Sequence, residues 1–249
     1  MQKVAFAIVG ALEEEIRSLR EKMQIEISHD DESCQFIEGR MGEHDVVLVR
    51  SGVGSHRVEK ALPMFFERYH PGFLLGIGFC GATDPELNVG DLVIADTISV
   101  LPKGEEIVLD ALQVKKAVSL CEEHRFRYRQ GKIVTSPHVV RRQHEKAFLG
   151  TSESAIAVDM ESFSLLQLTL QYDIPACVVR SVFDPLECEL PAVEGTLDSA
   201  GRPKPLPFLK FLAADPKQIF KLPELMYSAK KAREVLTHFV EAWIYAKPT

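Results

Sequence analysis

A series of short, almost purely apolar runs limits the fold of this chain more than any other feature. Val4–Val9, Phe73–Ile77, Leu92–Asp96, Ala155–Val158 and Ala176–Val182 carry few or no polar residues. Each therefore predicts a strand covered on both faces, as in a parallel sheet flanked by helices. Helical periodicity occupies the intervals, over Glu13–Met23, Ser55–Tyr69, Asp110–His124, Val139–Leu149 and Ser162–Tyr172. Cys34–Glu38 and Asp45–Arg50 read as a hairpin across Gly39–Gly42, and Gly131–Ser136 as a further short strand. No repeat period appears. The alternation specifies an α/β fold, a single domain over 1–249 with a central mixed, largely parallel twisted sheet flanked by helices. Two segments stand outside it. Val139–Leu149 is mostly charged and is expected to be a solvated connector. Residues 185–223 form a proline-rich insertion too apolar for a solvated linker, for which a ligand wall and a subunit contact both fit. A last helix at 225–245 is expected to pack Leu236, Phe239, Val240, Trp243 and Ile244 on the body.

Composition removes several function classes. A net charge of -7 at pH 7, with a pI near 5.7, argues against a protein that grips nucleic acid through a basic face. The five cysteines are widely spaced with no Cys-x-x-Cys pair, so reduced thiols are expected, with neither a disulfide framework nor a metal site. Cys80 and Cys177 lie in apolar runs and read as core residues. No cofactor is expected. The apolar N-terminus is cut off by Glu13-Glu14-Glu15, and no run approaches the roughly 18 apolar residues of a membrane span. A cytoplasmic location without a membrane anchor follows as an expectation.

Polar residues gather where the predicted strands end, which is where open α/β sheets collect ligands. These positions are Gly10 with Glu13–Glu15, Ser51–Gly54, Gly78–Ala82, Asp159–Glu161 and Arg180–Asp184. Each also has a plainer explanation. Three carboxylates at a helix start complement its dipole. Ser51-Gly52-Val53-Gly54 could be a tight turn or, beside Arg50 and Arg57, an approach for an anion or a sugar. Asp159 and Glu161 could be helix caps, and Arg180 a buried partner of an acid. Together, a cluster of carboxylates with an apolar wall suits cleavage through an oxocarbenium-like transition state, in which one acid protonates the leaving group.

At these residues the chain resembles the nucleoside phosphorylase/nucleosidase superfamily, especially its methylthioadenosine/S-adenosylhomocysteine nucleosidase branch. Gly10-Ala11-Leu12-Glu13-Glu14-Glu15, Ser51-Gly52-Val53-Gly54, Gly78-x-x-Gly81 with Val89-Gly90-Asp91, Val158-Asp159-Met160-Glu161 and Val179-Arg180-x-x-x-Asp184 occur in the family's order over about residues 1–185. The resemblance implies that Asp184 is the acid at the purine N7. It makes Glu161 the carboxylate on the ribose hydroxyls, Met160 the sugar's packing partner and Glu15 the group that activates water. Arg180 would orient the acidic loop, and Phe79, Cys80, Gly81, Val139 and Phe183 would line the base and sugar pocket. Gly10, Ser51, Gly52 and Gly54 would border the phosphate or water site.

Phe79 and Phe183 depart from the family, standing where relatives carry small or hydroxyl residues. Both make the pocket more apolar and put a normal phosphate site in doubt. The 185–223 insertion and the tail resemble the hopanoid-associated phosphorylase-like subgroup, thought to remove adenine from an adenosyl–triterpenoid. The expected activity is cleavage of the N-glycosidic bond of a purine (adenine) nucleoside with a bulky or apolar 5′ substituent, by hydrolysis or phosphorolysis. The alternatives are a catalytically inactive nucleoside-binding or storage protein and, further off, a different acceptor or a pyrimidine substrate. The partners implied are the small-molecule nucleoside and inorganic phosphate. Family subunits usually complete one another's pockets, so at least a homodimer is expected.

Overall fold

A computed structural model describes residues 1–31, 34–191 and 222–246. Most of the 185–223 insertion therefore lies outside the described residues. The elements run β1 (Gln2–Gly10), α1 (Glu13–Lys22), β2 (Gln24–Asp30), β3 (Gln35–Met41), β4 (His44–Arg50), α2 (Ser55–Arg68), β5 (Tyr69–Ala82), β6 (Leu92–Val100), β7 (Glu105–Val108), α3 (Ala111–His124), β8 (Tyr128–Thr135), α4 (Gln143–Ser152), β9 (Ala157–Asp159), α5 (Ser162–Gln171), β10 (Ala176–Asp184) and, as α6, Leu222–Tyr245.

The apolar runs become the spine of one sheet. β1 pairs in parallel with β4 and β5, and β5 pairs in parallel with β10. On the far side β10 meets β6 antiparallel, β6 and β8 run parallel, and β9 joins β8 in parallel and the end of β5 antiparallel. β5, β10, β6, β8 and β9 thus form a closed ring, so the sheet is mixed and partly rolled into a barrel. Closure needs a long shared strand. β5 supplies it, its 14 residues carrying β1 and β10 first and β9 at the end.

The hairpin turns later than expected: Met41 faces His44, leaving Gly42 at φ 61° in the turn while Gly39 and Arg40 stay in the strand. β2 was not expected. All its residues are exposed, and its place comes from pairing along β3 rather than from an apolar face.

Helices close over both faces. α5 lies so near β5 that a Cβ at Gly76 would stand 3.0 Å from Leu165. α6 packs on α1, α3 and β10. It buries Leu236, Phe239, Val240, Trp243 and Ile244, with the Trp243 ring 5.0 Å from Phe73. Burial of such side chains stabilises by about 1.5–3 kcal/mol each, which anchors α6 firmly. Cys80, Cys121 and Cys177 are buried free thiols, and Cys34 is buried. No helix among the described residues is long and apolar enough to cross a membrane.

The connector expectation for Val139–Leu149 is corrected. α4 begins later, at Gln143, and although its outer face is charged, Lys146 and Leu149 turn inward and Lys146 is 0% exposed.

Candidate active site

The strand ends form a rim of buried charge. β1 ends at Gly10, and the chain turns through Ala11 and Leu12 into α1. One turn later Glu15, 3% exposed, folds back over this start. Its Oε2 accepts from the N–H groups of Ala11 at 2.7 Å and Leu12 at 2.8 Å, and its Oε1 accepts from Phe79 N–H on β5 at 2.8 Å. The side chain is thus both the brace of the helix start and a carboxylate at the strand ends. Burial raises its pKa, opposed by Arg180 and by these three N–H groups.

Arg180 is the hub. Its Nη1 donates to Ile77 O at 2.7 Å, its Nε and Nη2 donate to Ser162 Oγ at 3.1 and 2.8 Å, and Nε lies 2.8 Å from Asp159 Oδ2. A Cβ at Gly78 would overlap Nη1 and stand 2.9 Å from Glu15 Oε1. Only glycine admits both groups there. Asp159 also accepts from Thr135 Oγ1 at 2.8 Å and from the Ser162 hydroxyl. Arg180 is therefore the buried partner of an acid, and Asp159 is that acid.

Glu161 has a different outlook. Although it occupies the N-cap of α5, its side chain makes no capping bond. Its Oε1 instead accepts from Gly54 N–H at 2.6 Å. Burial first, then the neighbouring Asp159, pushes its pKa up to about 8, against the pull of Arg180. Met160 is half-buried beside it, with its sulfur-bound methyl near Gly54, and its carbonyl accepts from Ser55 Oγ at 3.0 Å. Ser51 N–H donates to Gly10 O at 2.9 Å and Gly52 N–H to Ala11 O at 3.1 Å. With Gly54 on Glu161, the loop's Ser51, Gly52 and Gly54 amides all bond to protein groups.

Asp184, 3% exposed, ends β10 after a bulge that leaves Phe183 outside the ladder with β5. Burial pushes its pKa up to about 7, with Lys146 opposing. Lys146 Nζ lies 2.9 Å from Asp184 Oδ2. Sequence reasoning missed this lysine because it sits in a charged helix. The legible signal was its place three residues before Leu149, on the stripe that turns inward. Gly81 leaves space for the acid, since a Cβ there would be 3.0 Å from Oδ2. The Cys80 thiol, held well above its usual pKa by burial and by Asp184, stays neutral.

Phe79 and Phe183 stack with centroids 5.7 Å apart and planes at 18°, both half-buried. They form an aromatic wall at the strand ends, Phe79 meeting Glu15 through its N–H and Phe183 preceding Asp184. Val139 is 41% exposed and lines a groove of about 580 Å³ with Leu101, Ser136, His138, His144, Glu145 and Phe148, and Ser136 N–H ties this groove to the network by donating to Asp159 O at 2.8 Å. The structure thus gathers Glu15, Glu161, Arg180 and Asp159 into one network and sets Asp184 with Lys146, Cys80 and the aromatic pair beside it.

Known proteins are similar to this chain in sequence and in fold. A 5′-methylthioadenosine/S-adenosylhomocysteine nucleosidase of Bacillus cytotoxicus is 28% identical over 200 residues, 72% of this chain and 84% of the relative. That of Tolumonas auensis is 29% identical over 202 residues, 74% and 88% respectively. Among solved structures, the Neisseria meningitidis nucleosidase in complex with methylthio-immucillin-A superposes with a TM-score of 0.71 at 19% identity, over 97% of this chain and 99% of that one. The Helicobacter pylori futalosine hydrolase gives 0.69 at 20%, over 96% and 97%. Residues 5–202 match the family described as the Phosphorylase superfamily, and the chain belongs to it.

Proposed function

We propose that this protein hydrolyses the N-glycosidic bond of an adenine nucleoside bearing an apolar 5′ substituent and releases the free base. The observation that carries this reading is Asp184, a buried carboxyl whose pKa of about 7 lets it hold a proton near neutral pH. Lys146 engages Oδ2, so Oδ1 is the oxygen to face the purine N7. Asp184 gives its proton to N7 as the C1′–N9 bond breaks, and the bond's electron pair leaves with neutral adenine. Glu161 holds the ribose hydroxyls, and Glu15 faces the positive charge developing on the sugar. Water then bonds to C1′ and its proton passes to Glu15.

Several features support water over phosphate. The Ser51, Gly52 and Gly54 amides are engaged, and Arg180 is held by Asp159, Ser162 and Ile77. The nucleosidase names of the relatives point the same way. The aromatic pair supports an apolar 5′ group. Exposed Phe148 and Leu170 support at least a dimer, which sedimentation would test.

The deciding experiment measures adenine release from 5′-methylthioadenosine, S-adenosylhomocysteine and a 5′-alkyl adenosine mimicking an adenosyl–triterpenoid, with and without phosphate. Equal rates without phosphate are expected, highest for the apolar substrates. A strict phosphate requirement would make the protein a phosphorylase. Tight binding without adenine release would make it a nucleoside-binding protein, the reading that the Phe79–Phe183 pair keeps open.

A further inference from the structure

We infer that Lys146 is a positioning residue for the leaving-group acid: its buried ammonium grips one oxygen of Asp184 and the chain just beyond β10, leaving the other oxygen to meet the base. The inference rests on the proposed role of Asp184 and adds a residue that neither the sequence motifs nor the family resemblance contains.

The geometry is that of a filled socket. An ammonium has three N–H donors, and Lys146 Nζ has three acceptors: Asp184 Oδ2 at 2.9 Å, Pro185 O at 2.5 Å and Cys188 O at 2.8 Å. The side chain is wholly buried, so none of these bonds is exchanged with solvent. One cation on α4 therefore fixes both the carboxyl and the turn from Pro185 to Cys188, which leads toward the insertion. Gly81 on β5 makes room for the same carboxyl, since a Cβ there would stand 3.0 Å from Oδ2 and 3.3 Å from Oδ1. Lys146 is thus the side chain that grips Asp184.

A lysine that only tied α4 to β10 would affect stability alone. A positioning lysine also governs the acid's proton. The ionisable groups around Asp184 are Lys146 on α4 and the Cys80 thiol on β5, with Arg180 and Asp159 beyond the thiol. Burial holds the thiol neutral, so Lys146 is the cation that favours the carboxylate. Removing it raises the pH at which Asp184 loses its proton.

The test compares Lys146→Met and Lys146→Arg with the parent protein by two readouts. In kinetics of adenine release, Lys146→Met should lower kcat by about 10²-fold through misplacement of the acid. KM should change little, and the alkaline limb should move up by about one pH unit or more. Lys146→Arg should keep the limb in place. In ¹³C NMR of labelled aspartate, the Asp184 carboxyl should titrate at higher pH in Lys146→Met than in the parent. An unmoved carboxyl titration and an unmoved limb, with only a lower Tm, would reduce Lys146 to a structural tie and overturn the inference. The NMR readout needs no turnover, so a parent protein that releases no adenine would sink the proposed activity while leaving Lys146 still under test. If Lys146→Met does not fold, the Arg variant decides, because a limb displaced as far as one pH unit despite a retained cation contradicts the argument.

Discussion

Gly78→Ala is the substitution that most directly probes how the rim is built. The added methyl would overlap Arg180 Nη1, stand 3.3 Å from its Cζ and lie 2.9 Å from Glu15 Oε1, so both side chains must move. Displacing Nη1 removes its bond to Ile77 O, a buried hydrogen bond from a charged group worth about 1.5–3 kcal/mol. Crowding in a close-packed site adds about 1–3 kcal/mol. The expected loss is about 2.5–6 kcal/mol, or roughly 5–24 °C in Tm for a chain of this size. Glu15 should be pushed from the Phe79 amide, and a shift approaching 1 Å at a reacting group lowers turnover by about 10²-fold. Thermal unfolding and adenine release would be measured beside Gly104→Ala. That glycine, unlike Gly78, has a positive φ, 68°, and open space around its missing Cβ, so only the backbone penalty of about 1–2 kcal/mol applies. If Gly78→Ala matches Gly104→Ala in both Tm and turnover, the close approach of Arg180 and Glu15 to β5 is not what the rim depends on.

Two further outcomes follow from the same site. Asp184→Asn removes the proton donor while keeping shape, so turnover should fall by about 10²–10⁴-fold with circular dichroism unchanged; near-normal adenine release would remove Asp184 from the acid role. Stability should fall as pH rises from about 5 to 8.5. Glu161 and Asp184 have folded pKa values of about 8 and 7, above the 4.5 and 3.8 of free carboxyls, so the folded state binds more protons in that window. Their contribution is fully present below the unfolded values and is lost as pH passes the folded ones. Urea midpoints across the range would show it, and Glu161→Gln should flatten the decline; a midpoint that rises with pH would contradict the burial argument.

The α/β alternation and the strand ends were legible because both are local. An apolar run announces a doubly covered strand, and the residue after it lands on the rim whatever the strand order. Barrel closure was not legible, since it depends on which distant strands β5 pairs with along its 14 residues. Nor was β2, which has no buried face to leave a hydrophobic period. The carboxylates at 15, 161 and 184 could be named from their motifs, but their partners could not. Nothing local to Asp159 or Arg180 says that they pair with each other, or that Ser162 and Thr135 complete the network.

Lys146 shows the limit most sharply. A charged helix at the surface and a charged helix with one lysine turned inward have the same composition, and only the position of Leu149 on the same stripe separates them. The difference is chemical as well as structural. Arg180 is encircled by Asp159, Glu161 and Glu15, and its charge is divided among them. Asp184 has its own cation, on another helix and with no share in that network. Two carboxyl systems at one rim, each neutralised separately, can titrate apart. That separation lets Asp184 titrate with Lys146 alone, apart from the charge that Glu15, Asp159 and Glu161 share with Arg180.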